Sequence, residues 1–168
     1  MALDRVIEII EEMQTNGVIG SYALGGAMAA AIYVDPFPTQ DLDFFVHLLA
    51  DVSDFDPLRP IIDYLEPLGY PIQGVEFAIE GLLVQFVPFT GKLAEEATAQ
   101  ANIVEIEGVE VRVLSPEYLV ALMLETNRAK DKLRARMFLD QDAVNLDELN
   151  ILIKRFDLEE KWQKLNQL

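Results

Sequence analysis

The 168-residue sequence has no cysteine and a single histidine. The missing cysteines exclude a disulfide framework, a thiolate zinc site, an iron–sulfur cluster and a cysteine nucleophile. With His47 alone there is no multi-histidine metal site, and a Ser-His-Asp triad would have to use that one ring. Positive charge is scarce as well. Thirteen Lys+Arg stand against 29 Asp+Glu, a net charge of −16 with pI ≈ 4.2. Such a surface repels a phosphate backbone, so duplex DNA is excluded by charge wherever no local basic patch intervenes. Met1-Ala2-Leu3-Asp4-Arg5 lacks a basic n-region, and Glu8, Glu11 and Glu12 interrupt any apolar h-region, so no secretory leader is expected. Residues 16–34 carry no charge over a length close to the ~20 that a spanning helix needs. Gly17, Gly20, Gly25 and Gly26 punctuate that run, which therefore reads as a buried strand, a glycine turn and a buried helix. The expectation is a cytoplasmic protein without membrane partners.

What is present suits one domain with a real core. Hydrophobic residues make up 51% of the chain, and a chain of this length buries roughly 68–70% of its unfolded surface. Leu3, Val6, Ile7, Ile10 and Met13 recur at helical spacing, so residues 3–14 form an amphipathic helix. Strands are expected at 20–24, 41–48, 75–79 and 82–87, the last two turning at Glu80-Gly81, with helices at 27–33 and from 57 or 59 to 68. Residues 103–106 and 109–114 flank Glu107-Gly108 as a hairpin. Ser115-Pro116 is an N-cap followed by proline at the first helical position, and opens a long helix to about residue 139. Asn145 with Glu148 resembles a capping box for a helix over 145–156, and a short helix ends the chain. The order predicts an α+β fold, with a mixed α/β part over about 1–114 and a helical part over about 115–168.

The chemistry concentrates in Leu24-Gly25-Gly26-Ala27 and Thr39-Gln40-Asp41-Leu42-Asp43. Asp41 and Asp43 stand at i and i+2 on a strand, so both carboxylates project from one face. Oxygen ligands at that spacing suit Mg²⁺, which takes one or two protein carboxylates plus substrate phosphates. Gly25-Gly26, just before a helix, exposes backbone N–H groups at a positive dipole end, a natural phosphate site. The plainer alternative, for either motif by itself, is a solvated strand end and a packing turn.

With these residues the chain resembles the nucleotidyltransferase-fold superfamily, which carries a Gly-Gly or Gly-Ser turn and then a D-h-D strand. Here fifteen positions separate Gly26 from Asp41. The resemblance is closest to the minimal and abortive-infection toxin-like (toxin–antitoxin) members. Their C-terminal half resembles the present Ser115-Pro116-Glu117-Tyr118-Leu119-Val120-Ala121-Leu122, followed by Arg128 and the Lys130-Asp131 pair. It covers roughly residues 20–155. The resemblance implies a mixed sheet flanked by helices, with Asp41 and Asp43 holding Mg²⁺ on a nucleoside triphosphate. It also implies nucleotide contacts from Gly25, Gly26, Thr39, Arg128 and Lys130, and transfer of NMP to an acceptor hydroxyl, with a protein or RNA as the acceptor.

Three departures from the pattern weigh against full activity. Gln85 takes the place where the resemblance implies a third catalytic carboxylate, and an amide neither accepts the proton nor ligates Mg²⁺ well. Glu76 or Glu80 on the neighbouring strand is the alternative source, with plain surface acids as the simpler reading. Met123 stands where the toxin-like pattern has Lys, and Pro36-Phe37-Pro38 replaces an Arg ahead of Thr39. A positioned general base is worth about 10²–10⁴ in rate. Two functions therefore compete, an Mg²⁺-dependent nucleotidyltransferase and an inactive nucleotide-binding or protein-interaction module of the same fold. Of the basic cluster Arg128, Lys130, Lys132, Arg134 and Arg136, the last three are read as a solvated helix face, with Arg128, Lys132 and Arg136 at i, i+4, i+8. His47 is read as structural or solvent-facing, and Trp162 as a packing group.

Overall fold

A computed structural model describes residues 2–35, 38–49 and 54–168. Among the described residues seven strands form one mixed sheet in the order β3-β4-β5-β2-β1-β7-β6. They are β1 (Tyr22–Gly25), β2 (Asp41–His47), β3 (Ile72–Gln73), β4 (Glu76–Ile79), β5 (Leu82–Phe89), β6 (Asn102–Ile106) and β7 (Val109–Val113). Eight α-helices accompany them among the described residues: α1 (Ala2–Thr15), α2 (Gly26–Tyr33), α3 (Arg59–Leu65), α4 (Lys92–Ala99), α5 (Pro116–Thr126), α6 (Ala129–Asp140), α7 (Leu146–Arg155) and α8 (Glu159–Asn166).

The centre of the sheet is built from the strands that alternate most cleanly. In β2 every second residue, Leu42, Phe44 and Val46, is buried, while Asp41, Asp43, Phe45 and His47 face the other way. β2 runs antiparallel to β1 and parallel to β5, so one face collects Tyr22, Phe44, Phe86 and Phe77. Their rings meet at centroid distances of 5.7–6.5 Å, which adds aromatic contact to the burial of large apolar side chains. Two hairpins turn at Glu80-Gly81 and Glu107-Gly108, each with positive φ at both residues, the I′ geometry that matches strand twist.

The run 16–34 divides into β1 and α2, and no helix among the described residues is long and apolar enough to cross a membrane. α4 and the two-residue β3 are elements that the sequence pattern does not announce. Thr98 in α4 is fully buried, hydrogen-bonded to Ser21 at 3.0 Å, and its carbonyl accepts from Arg112 at 2.8 Å. These bonds fasten α4 across β1 and β7.

One expectation is corrected. The long helix from Ser115 to about 139 is two helices, because Asn127 adopts φ 56°, ψ 27° and caps α5 in the left-handed conformation. Ser115 does cap α5, its hydroxyl accepting from the Tyr118 amide at 3.4 Å, with Pro116 at the first turn. Arg128 is then the N-cap of α6 rather than a helix-interior residue, so it does not share a face with Lys132 and Arg136. Asn145 caps α7 by accepting from Asp147 and Glu148 amides.

Candidate functional site

The register of β2 decides the geometry. Asp43 lies opposite Gly25 of β1 on one side and Gln85 of β5 on the other, and Asp41 lies opposite Leu83. Laterally paired residues share a face, so Asp41, Asp43 and Gln85 project together. With Pro38, Thr39, Gln40, Ala27, Lys130 and Arg134 they line one open cleft of about 510 Å³. Of the proline-rich departure ahead of Thr39, residues 36 and 37 lie outside the described residues.

The glycine turn is shaped by its closeness to that carboxylate. Gly26 opens α2 at φ +61°, and a Cβ there would come within 2.2 Å of Asp43 Oδ2. At Gly25 a Cβ would meet the Phe45 ring at 2.5 Å. No side chain fits between the turn and the strand, so the glycine turn that opens α2 packs directly against Asp43. Gly26→Ala is therefore expected to lower stability by about 1–2 kcal/mol from the left-handed backbone alone, with the overlap at Asp43 adding to it. In urea the midpoint should fall with an unchanged slope, and a wild-type midpoint would show that the turn relaxes freely.

Asp43 has its carboxyl held above the ordinary value of 3.8, first by burial and then by the Asp41 charge, with Arg134 and Lys130 pulling it down and Glu76 adding to the rise. Ionising it therefore costs stability as pH rises through its raised value. Among the described residues no group of three His, Cys, Asp or Glu side chains could hold a metal by itself. The pair Asp41/Asp43 offers hard carboxylate oxygens and mutual repulsion, which suits a divalent cation whose remaining ligands are phosphate oxygens and water.

Next to the cleft lies a second, apolar cavity of about 260 Å³. Phe45, Val87, Phe89, Leu119, Leu122 and Met123 are among its walls, Gly26 and Arg134 border it, and Arg128 and Asp131 close one side. Met123 thus adds apolar surface where the toxin-like pattern has Lys. Arg128 does not line the carboxylate cleft. Its guanidinium is committed to Asp131, with Nε to Oδ2 at 2.7 Å and Nη2 to Oδ1 at 3.2 Å. That hydrogen bond leads the rise in the Arg128 pKa, to which the Asp43 charge also contributes.

Sequence reasoning missed Arg134. Lys130 and Arg134 stand one turn apart on α6, and both reach the cleft, while Arg136 pairs with Asp140 at 3.0 Å. The i, i+4 spacing of 130 and 134 was the available signal, but it is equally that of a solvated face. His47 is half-buried with its ring 5.6 Å from that of Phe89, a packing position.

At the level of sequence, no family model and no curated protein matches the chain. Solved structures do. ANT(2'')-Ia in complex with adenylyl-2''-tobramycin is 14% identical with a TM-score of 0.51, covering 96% of this chain and 99% of that one. An antigenic nucleotidyltransferase-like protein from Paracoccidioides brasiliensis is 17% identical, also with a TM-score of 0.51, over 96% and 92% of the two chains. At such identities the similarity is one of fold. The mixed sheet flanked by helices is the nucleotidyltransferase fold.

Proposed function

We propose that the protein is a nucleotidyltransferase that moves NMP from a nucleoside triphosphate to an acceptor hydroxyl. The observation that carries this reading is the same-face pair Asp41/Asp43, set against a left-handed Gly26 and faced by Lys130 and Arg134. Asp41 and Asp43 would hold Mg²⁺, which when bound neutralises triphosphate charge. Lys130, Arg134, Thr39 and the amides after Gly25-Gly26 bind and orient the phosphates, and the apolar cavity beside them takes the base. Arg128, fixed by Asp131, lies at the border of that cavity. A fold neighbour solved with an adenylylated molecule, ANT(2'')-Ia, is consistent with this use of the fold. The acceptor belongs to the class of hydroxyl-bearing small molecules, proteins or RNA.

A second reading, a nucleotide-binding module without chemistry, is favoured by one observation. Gln85 stands beside Asp43 as a neutral amide. The two readings share nucleotide binding, so the first test is a thermal-shift screen of the four NTPs with and without Mg²⁺. A ligand at 100 times its Kd should stabilise the protein by about 2.7 kcal/mol. The expected result is a shift that requires both nucleotide and Mg²⁺. No shift with any NTP would overturn both readings.

A further inference from the structure

The cleft face of the sheet carries a row of polar side chains that continues beyond the carboxylate pair. Asp43 of β2 pairs with Gln85 of β5. The antiparallel pairing of β4 with β5 sets Phe77 opposite Val84 and Ala78 opposite Leu83. Continued by one residue, it sets Glu76 opposite Gln85, and Glu76 pairs in turn with Gln73 of β3. The pleat agrees. Phe77 and Ile79 are buried with Val84 and Phe86, which leaves Glu76 and Ala78 on the face of Leu83 and Gln85. With strands 4.7–4.9 Å apart, the Glu76 backbone stands about 10 Å from that of Asp43, with Gln85 between them.

Two further observations single out Glu76 among the acids nearby. Glu80 is engaged, since it accepts the Tyr70 hydroxyl at the hairpin turn. Glu76 is half-buried and in no ion pair among the described residues.

We propose that Glu76 is the proton acceptor for the attacking hydroxyl, one strand further out than Gln85, an inference that rests on the nucleotidyltransferase reading above. The acceptor hydroxyl lies over Gln85, whose carboxamide can donate to it and accept from it. Its oxygen forms the bond to the α-phosphorus as the α–β phosphoanhydride bond breaks. Pyrophosphate leaves with the electron pair, and the hydroxyl proton passes to the Glu76 carboxylate. Gln85 thus positions the acceptor, and the base sits on β4.

The test compares wild type, Glu76→Gln and Glu76→Ala by two measurements. One is the Mg²⁺-dependent thermal shift with each NTP. The other is pyrophosphate release from each NTP with glycerol or water as the hydroxyl acceptor, with and without sodium formate. Both variants should keep the wild-type thermal shift and lose about 10²–10⁴ in release rate. Formate, a small carboxylate that fits the space left by the side chain, should restore part of the rate in Glu76→Ala and none in Glu76→Gln. Release at the wild-type rate in Glu76→Gln would overturn the proposal, and so would a fall in Glu76→Ala that formate does not restore. Loss of the thermal shift together with the rate would make Glu76 part of the nucleotide site instead. A wild type that binds Mg²⁺-nucleotide but releases no pyrophosphate would overturn the role of Glu76 and leave the binding module standing. A wild type with no thermal shift would remove the reading beneath it.

Discussion

Asp41→Asn and Asp43→Asn are each expected to abolish the stabilisation that nucleotide and Mg²⁺ confer together, while the free protein stays folded. For wild type at 100 times Kd the lost effect is about 2.7 kcal/mol, or roughly 5–10 °C in Tm for a chain of this size. Both side chains face one cleft from alternate positions of β2, so under the proposed function each substitution removes one of the two carboxylates that would hold Mg²⁺. Asp43→Asn carries a second, opposite signature. Burial and the Asp41 charge hold the Asp43 carboxyl above its ordinary value, so its ionised form opposes folding once the pH exceeds that value. Without ligand at neutral pH, Asp43→Asn should therefore melt at or above the wild-type temperature. Equal nucleotide shifts in wild type and both variants would show that the pair is not the metal site. A lower melting temperature for free Asp43→Asn would show that the carboxylate is structural.

Asp131→Ala is expected to destabilise the protein by about 1.5–3 kcal/mol near pH 7, the range for hydrogen bonds made to a charged group. The carboxylate is 3% exposed and accepts from Thr126 Oγ1 at 2.8 Å, from the Arg128 amide at 3.3 Å and from the Arg128 guanidinium. It therefore joins the end of α5 to the start of α6 through a reciprocal cap. Burial pushes its carboxyl up, but the Arg128 and Thr126 bonds outweigh burial and hold it below the ordinary 3.8. The sign follows from that depression. The stabilisation is complete above the ordinary carboxylate value and is lost as pH falls through the lowered one. Urea unfolding of wild type and Asp131→Ala at pH 7 and at pH 2.5 should show a difference at the first pH that narrows at the second. A pH-independent difference would mean that packing, not the ion pair, carries the effect.

Much of this protein is legible in the chain. The alternation of β2 follows from Asp41-Leu42-Asp43-Phe44-Phe45-Val46, and side chains at i and i+2 share a face whatever surrounds them. Ser115 and Asn145 mark helix starts because their side chains accept from amides within three residues. Glu80-Gly81 and Glu107-Gly108 mark hairpins because the turn itself needs positive φ. All of these are short-range constraints, settled by covalent geometry and neighbouring atoms.

What the tertiary structure alone decided is of another kind. That Gln85 lies beside Asp43, and that Glu76 shares the face of Gln85, depends on the registers of β2 with β5 and of β5 with β4, and a slip of one residue would turn every side chain to the other face. That Gly26 leaves no room for a Cβ depends on the approach of Asp43, 17 residues on. The break at Asn127, inside a stretch that reads as one helix, is held by Asp131 after the chain has turned. The same turn brings Lys130 and Arg134 to the carboxylate cleft. α6 buries Asp131, Ala135 and Phe138, and once that stripe is inward the rotation of the helix is set. In sequence Arg134 looks like Lys132 and Arg136, one of a solvated face, and only packing turns it, rather than Arg128, toward the carboxylates with Lys130.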